Sequence, residues 1–488
     1  MLRSRRAQAF ALCVVLAVLH TWPLVLHPGR YSRNDNADTQ LNEWILAWIA
    51  HQLPRAPLQL FEGNIFYPAH DSLAFSEPLI VPALMGAPLA WTGSSPVLVY
   101  NLVLIAGFAL TAFATFLLVE RWTGSWTAGL LAGSAFAFNT HTLTRLAHIQ
   151  GIHIYGLPLA LLAADRLFRD GSMKAAAALT MALALAAYTS GYLIVFAAVM
   201  LGIVALFHVR RWITDWRRIA PALAAAGIAS ALALLPIYLP YRRAAIDQHM
   251  VRSLDIVKDY SATPMGYLAA AGRVHFSTWS GGFFKDPVDS FFPGATLIVL
   301  AIAALALARR EPETTRRRIL MVAVIAMAGA ILSLGTATPV YGWLFHVFPP
   351  MQGLRAAARF GNLFLLGMAV LAGFGAARVR RPALAFALIA LVNAEALRAP
   401  FTYHPFKGIP PVYAMLRDEP GHVVVVEQPF FPRWAIQAMK DAGVTHVVVH
   451  PAAFHRDRQD VVPVIDKRSD FELMGIGPDD IRLYRLKR

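Results

Sequence analysis

Apolar residues along this chain gather in runs of fifteen to twenty-three positions, with polar residues concentrated in the breaks between them. Wound as helix, a run of that length approaches or reaches the thickness of a bilayer's hydrocarbon core. The runs lack the alternation that strands of an outer-membrane barrel need. The first follows MLRSRRAQ, extends to about His27 and has no small-residue cleavage site behind it, so it predicts an uncleaved first helix. Further spans are predicted at 97–119, 126–140, 150–165, 174–188, 191–208, 219–240, 292–308, 319–336, 361–377 and 382–398, eleven in all. Segment 78–92 is apolar but short, and Pro78, Pro82 and Pro88 within it predict an interfacial or re-entrant helix.

Composition agrees, with 57% hydrophobic residues and 15% charged. The net charge of +15 would suggest a nucleic-acid partner for a soluble chain, but here its placement matters more. With 78–92 left out of the bilayer, Arg3, Arg5 and Arg6, Arg121, Arg166 to Lys174, and the clusters at 210–218, 309–318 and 378–381 all fall on one side. Basic residues in short loops stay cytoplasmic. That predicts a cytoplasmic N-terminus and an outer side that receives a long first loop (28–96), loops at 141–149, 241–291 and 337–360, and the tail from 399. The tail reads as a small βαβ unit, HVVVVEQ, then PRWAIQAMKDAGV, then THVVVHP, without a glycine-rich phosphate loop. The expected organisation is a mainly α, polytopic transmembrane helical bundle over 1–398 and a small α/β extramembrane domain over 399–488. Cys13 is the single cysteine, which excludes an intrachain disulfide or a cysteine metal cluster.

Candidate chemistry sits in the outer loops. Asp35 and Asp38 lie just beyond the first helix, and after them Leu41, Trp44, Ile45, Trp48 and Ile49 repeat at helical spacing. Asp38 therefore reads either as the cap of an amphipathic helix or as a functional carboxylate, with Glu43 as an ordinary solvated residue. Glu77 precedes the proline-rich segment and is a third carboxylate candidate. In FNTHTLTRLAHIQGIH, His141, Arg145 and His148 are spaced by four and three, one face if the loop is helical. The two histidines could bind metal, though bundle-lining histidines are commoner than ligands. Arg355 and Arg359 stand four apart in MQGLRAAARFGN and suit a phosphate or a lipid headgroup, with Arg242 and Arg243 a weaker version.

Asp38 with NEWILAW, NIFYP (64–68), SEP (76–78), PVLVYN (96–101), AFAFN (135–139), LAHIQ (146–150), TSGYL (189–193), LFHVFPPMQGLRAAARFG and GVTHVVVH together resemble a group of bacterial polytopic membrane proteins. That group is similar in turn to the GT-C superfamily of polyprenyl-phosphate-dependent glycosyltransferases, the second likeness being chiefly architectural. The resemblance implies sugar transfer from polyprenyl phosphate to a glycan, lipid or protein acceptor at the periplasmic face of a bacterial inner membrane. It implies Asp38, with Asp35 as alternate, as base or ligand of a divalent cation (Mg or Mn), and no nucleic acid. One departure stands out: Phe431 and Pro432 follow EQPF almost at once, where relatives carry a longer stretch. A transporter or lipid-translocating protein, or a noncatalytic envelope assembly factor, is the alternative. The predicted spans contain almost none of the mid-membrane charges that transporters use for coupling.

Overall fold

The computed structural model describes residues 2–33, 36–250, 252–406, 408–421, 423–428, 435–451 and 461–487. Asp35 and the 429–434 connection, with its Phe431 and Pro432, lie outside the described residues. The chain divides into two compact units, Met1–Gly63 with Asp71–Pro405, and Asn64–His70 with Phe406–Arg488.

The first unit is helical. It begins α1 (Leu2–His20), α2 (Ala37–Gln52), α3 (Ile80–Trp91), α4 (Pro96–Thr123), α5 (Trp126–Ala137) and the short α6 (Thr140–Thr144). It continues α7 (Gly156–Asp170), α8 (Met173–Ala187), α9 (Gly191–Phe207), α10 (Val209–Thr214), α11 (Trp216–Asp247), α12 (Leu254–Asp259) and α13 (Arg273–Thr278). The last five are α14 (Ala295–Ala306), α15 (Glu313–Ser333), α16 (Pro339–Val347), α17 (Gly361–Ala376) and α18 (Pro382–Ala396). Local chemistry sets the boundaries. Ser95 caps α4 by accepting from the Leu98 N–H, Pro96 occupies its first turn, and Gly124 ends it at φ 73°, in the left-handed region that glycine adopts without strain.

Packing centres on α4, whose Tyr100, Phe108 and Phe116 are fully buried and which touches α1, α5 and α7. Helix α11 is the opposite case, an apolar helix that leaves Ile228, Leu232, Leu235 and Tyr238 exposed. Apolar side chains on the outside of a helix whose backbone is internally bonded suit contact with lipid. Within the bundle, Asp165 is buried against Arg318 at 2.7 Å and His208 at 3.3 Å, so its charge is partnered where water is scarce.

Every predicted span coincides with a helix, but their number as membrane crossings does not follow. Among the described residues three helical stretches are long and apolar enough to cross, Pro96–Thr123, Trp216–Asp247 and Ala357–Ala376. Helix α3 has 12 residues, about 18 Å of rise, less than the hydrocarbon thickness of about 30 Å. Yet α5 and α14, both read as spans, also have 12. Length therefore does not separate the interfacial segment from them.

In the first unit β1 (Tyr31–Ser32) pairs antiparallel with β2 (His404–Pro405). The second unit holds a four-stranded sheet of β3 (Val425–Gln428), β4 (His446–Val449), β5 (Phe471–Ile476) and β6 (Arg482–Leu486), in the order β3-β4-β6-β5. Strands β3 and β4 run parallel with α19 (Ala435–Asp441) between them, the expected βαβ unit. The β5–β6 hairpin went unpredicted, because RLYRL interleaves charge with apolar residues over only 5 positions. Period-two alternation divides the sheet's apolar residues between two small cores, Val447, Val449 and Tyr484 in one, Val448 and Leu483 in the other.

Candidate functional site

Helix α2 places Asp38. The cap of this helix is Asn36, whose side chain accepts from the Asp38 N–H at 2.9 Å, so the capping role considered for Asp38 belongs to its neighbour two residues earlier. Asp38 lies in the first turn, where the helix dipole favours a negative charge. Its carboxylate is half exposed, and Oδ2 stands 3.2 Å from His148 Nε2.

One turn further along, the same face of α2 is buried and polar. Asn42 donates to the Ala147 carbonyl at 2.8 Å, and the buried Tyr100 hydroxyl meets the carbonyls of Leu146 and Ala147 at 3.3 Å. Helices α2 and α4 thus pin the segment that carries His148. Glu43, expected in solvent, is instead buried and accepts from Ser32 Oγ at 2.8 Å. Burial raises its pKa above the usual glutamate value.

The 140–151 segment does not form the continuous helix that would align His141, Arg145 and His148. Helix α6 stops at Thr144, the His148 N–H returns to the Arg145 carbonyl at 2.9 Å, and a 3-10 turn follows at Ile149–Gly151. The turn achieves the juxtaposition by another route. Arg145 Nη2 lies 3.0 Å from His148 Nε2, and all three side chains line one open recess. Gln150, Tyr192, Phe196, Arg359 and Asn362 complete its polar and aromatic wall.

Burial and then the positive charges of Arg145, Arg359 and Arg355 hold the His148 pKa down, to about 2, so the imidazole is neutral at physiological pH. His141 is pushed the same way by burial and by Arg145. A neutral His148 has one proton to place. Its Nε2 either donates to Asp38 or accepts from Arg145, but not both at once. Arg145 is itself lowered to about 10, first by burial and then by Arg359.

The two arginines of MQGLRAAARFGN part company. Residues 357–360 form a 3-10 turn rather than α-helix, so a spacing of four does not align the pair. Arg359 lines the recess, stacked over the Tyr192 ring at 4.4 Å and paired with Glu77 at 3.2 Å. Arg355 is exposed and lies over the Tyr260 ring at 5.1 Å. The other oxygen of Glu77 accepts from the Gly191 N–H at 3.1 Å, so this carboxylate orients Arg359. Arg243, read as a weak phosphate candidate, forms a two-pronged pair with Asp71 at 2.7 and 2.9 Å. Sequence reasoning passed over Gln150, Tyr192 and Asn362. They stand in LAHIQ, TSGYL and ARFGN, beside the charged residues and histidines that drew attention.

Among the described residues no group of three or more His, Cys, Asp or Glu side chains could hold a metal ion. Asp38 and His148 supply two donors, but a guanidinium already faces His148 Nε2, a poor neighbour for a second cation. These residues do not fit a divalent ion, and no step below uses one.

No protein-family model matches the chain, and no curated sequence does. Among solved structures, the arabinofuranosyltransferase AftD from Mycobacteria superposes with a TM-score of 0.57 at 16% identity, over 100% of this chain and 40% of that one. The fold is GT-C-like. The Archaeoglobus fulgidus oligosaccharyltransferase in the apo form (TM-score 0.47, 13% identity, 91% of this chain and 69% of that one) and ArnT from Cupriavidus metallidurans bound to undecaprenyl phosphate (0.44, 13%, 98% and 97%) also match. At these identities the likeness is one of fold, and this chain spans 40% of the AftD length. With its apolar helices, it is a membrane protein.

Proposed function

We propose that this protein is a membrane glycosyltransferase that moves a sugar from polyprenyl phosphate to a hydroxyl of a glycan, lipid or protein acceptor, at the periplasmic face of a bacterial inner membrane. One observation carries the reading: a half-exposed carboxylate, Asp38, is joined through His148 to a recess with two guanidiniums, Arg145 and Arg359. The GT-C-like fold is consistent with it.

In the step this arrangement suits, the acceptor oxygen bonds to the sugar's anomeric carbon and its proton passes to Asp38. The bond from that carbon to the phosphate oxygen breaks, and the electron pair leaves with the phosphate, whose growing charge Arg145 and Arg359 stabilise. When phosphate takes Arg145, His148 Nε2 is released to donate to Asp38 and hold its orientation. Glu77 positions Arg359, Arg355 is a more peripheral contact for the lipid headgroup, and Asp35 stays the alternate carboxylate.

The test uses membranes containing the protein and a radiolabelled polyprenyl-phosphate sugar. Replacing Arg145 and Arg359 together by Gln should abolish use of the lipid donor while the protein stays inserted. Donor kinetics equal to wild type in that double variant would remove the phosphate role.

A further inference from the structure

The recess contains more than its cations. His141 Nδ1, His148 Nδ1, Gln150 Oε1 and Asn362 Oδ1 are all buried, all lack a hydrogen-bond partner, and all belong to residues of its lining. His141, Gln150 and Asn362 are each more than nine-tenths buried, at 4%, 8% and 5% exposure. A buried polar atom left unpaired is costly, so their gathering in one place is a sign of a ligand with many hydrogen-bonding groups.

We infer that this part of the recess is a subsite for the hydroxyl groups of an uncharged sugar, the glycosyl part of the donor, held by Gln150, Asn362 and His141. The inference rests on the donor reading above and adds the class of sugar. Hydroxyls donate to the two amide oxygens and exchange hydrogen bonds with the imidazole, while the rings of Tyr192 and Phe196 on the same wall offer apolar contact for the sugar's C–H face. Charge sets the class. Among the described residues no Asp or Glu lines the recess, whereas two guanidiniums do, and Glu77 is committed to Arg359 and Gly191. An ammonium-bearing sugar would meet like charge from Arg145 and Arg359, while the nearby carboxylates Asp38 and Glu77 are engaged by His148 and by Arg359. An anionic sugar would compete with the phosphate for the same arginines.

The experiment measures binding to the purified full-length protein in nanodiscs. The probes are bare polyprenyl phosphate, the same lipid carrying an uncharged hexose (glucose) or pentose (ribose), and the 4-amino-4-deoxy counterpart of each. Wild type should bind the better uncharged glycolipid roughly tenfold or more tightly than the bare lipid, the worth of about one good hydrogen bond, and should lose that gain with the amino counterpart. Gln150→Met and His141→Phe, both close in shape to the native side chain, should erase most of the gain and leave bare-lipid affinity within a few-fold. No gain from either uncharged sugar, equal binding of the amino counterparts, or a gain that survives both substitutions overturns the subsite. Failure of wild type to bind bare polyprenyl phosphate is a different result, and it overturns the donor reading itself.

Discussion

Replacing Asp38 by Asn separates chemistry from architecture at one position. The helix cap survives the change, because it is Asn36 that accepts from the backbone N–H of residue 38. What is lost structurally is the favourable placement of a charge in the first turn of α2, about 0.3–1 kcal/mol at an exposed site. The partner, His148, is neutral, and the carboxylate is half exposed, so the pair adds little. Stability should therefore fall by no more than about 1 kcal/mol. A general base contributes roughly a hundred- to ten-thousand-fold, equivalent to about 3–5 kcal/mol of barrier, so the catalytic effect exceeds the structural one severalfold. The assay pairs thermal unfolding of the purified variant with sugar transfer from a radiolabelled polyprenyl-phosphate donor in membranes. Asn36→Ala is the converse control: losing the cap should cost about 0.5–2 kcal/mol while the surviving folded protein still transfers sugar. If Asp38→Asn keeps transfer within a few-fold of wild type, Asp38 is not the base, and Asp35 and Glu77 become the carboxylates to replace next.

Asn42→Leu removes the donor to the Ala147 carbonyl and so loosens the segment carrying His148. The turnover rate should drop about tenfold or more with donor KM changed less, whereas an equal change in both would argue against a positioning role. The unfolded chain takes up a proton on His148 near pH 6.5 that the folded protein refuses until about pH 2. Its contribution to stability is therefore complete above pH 6.5 and declines below it, by up to about 1.4 kcal/mol per pH unit. Thermal melts between pH 7.5 and 5 should show a shallower decline for His148→Gln than for wild type, and parallel curves would refute this. Finally, reporter fusions should place residue 95 and the C-terminus outside and residue 313 inside. Periplasmic activity of the 313 fusion would sink the eleven-span topology.

The apolar runs were enough to locate the helices, because burial in lipid or in a bundle demands long uninterrupted apolar segments and that demand is local. The βαβ order in the tail was legible for a similar reason, since valine-rich strands around an amphipathic helix have few other ways to fold. Asp38 in the long first outer loop, and the Arg145–His148 pair in the short one at 141–149, were also visible as polar residues between the apolar runs. Periodicity misled at α2. Its buried residues are Thr39, Asn42, Glu43, Ile45, Leu46, Ile49 and Ala50, and the first three are polar, so a search for apolar residues at helical spacing finds Ile45 and Ile49 but points Glu43 toward water. The partners of the charges came only from the tertiary structure. Glu77 meets Arg359 across 282 residues of sequence, and nothing within four positions of either reveals the pairing. Whether Arg355 or Arg359 faces the recess depends on a single 3-10 turn, and the unpaired atoms of His141, Gln150 and Asn362 come together only when α6, the turn after it and the start of α17 are packed side by side. Backbone propensity acts over a few residues, whereas a site is made by contacts between distant ones, and those are determined by how the helices pack.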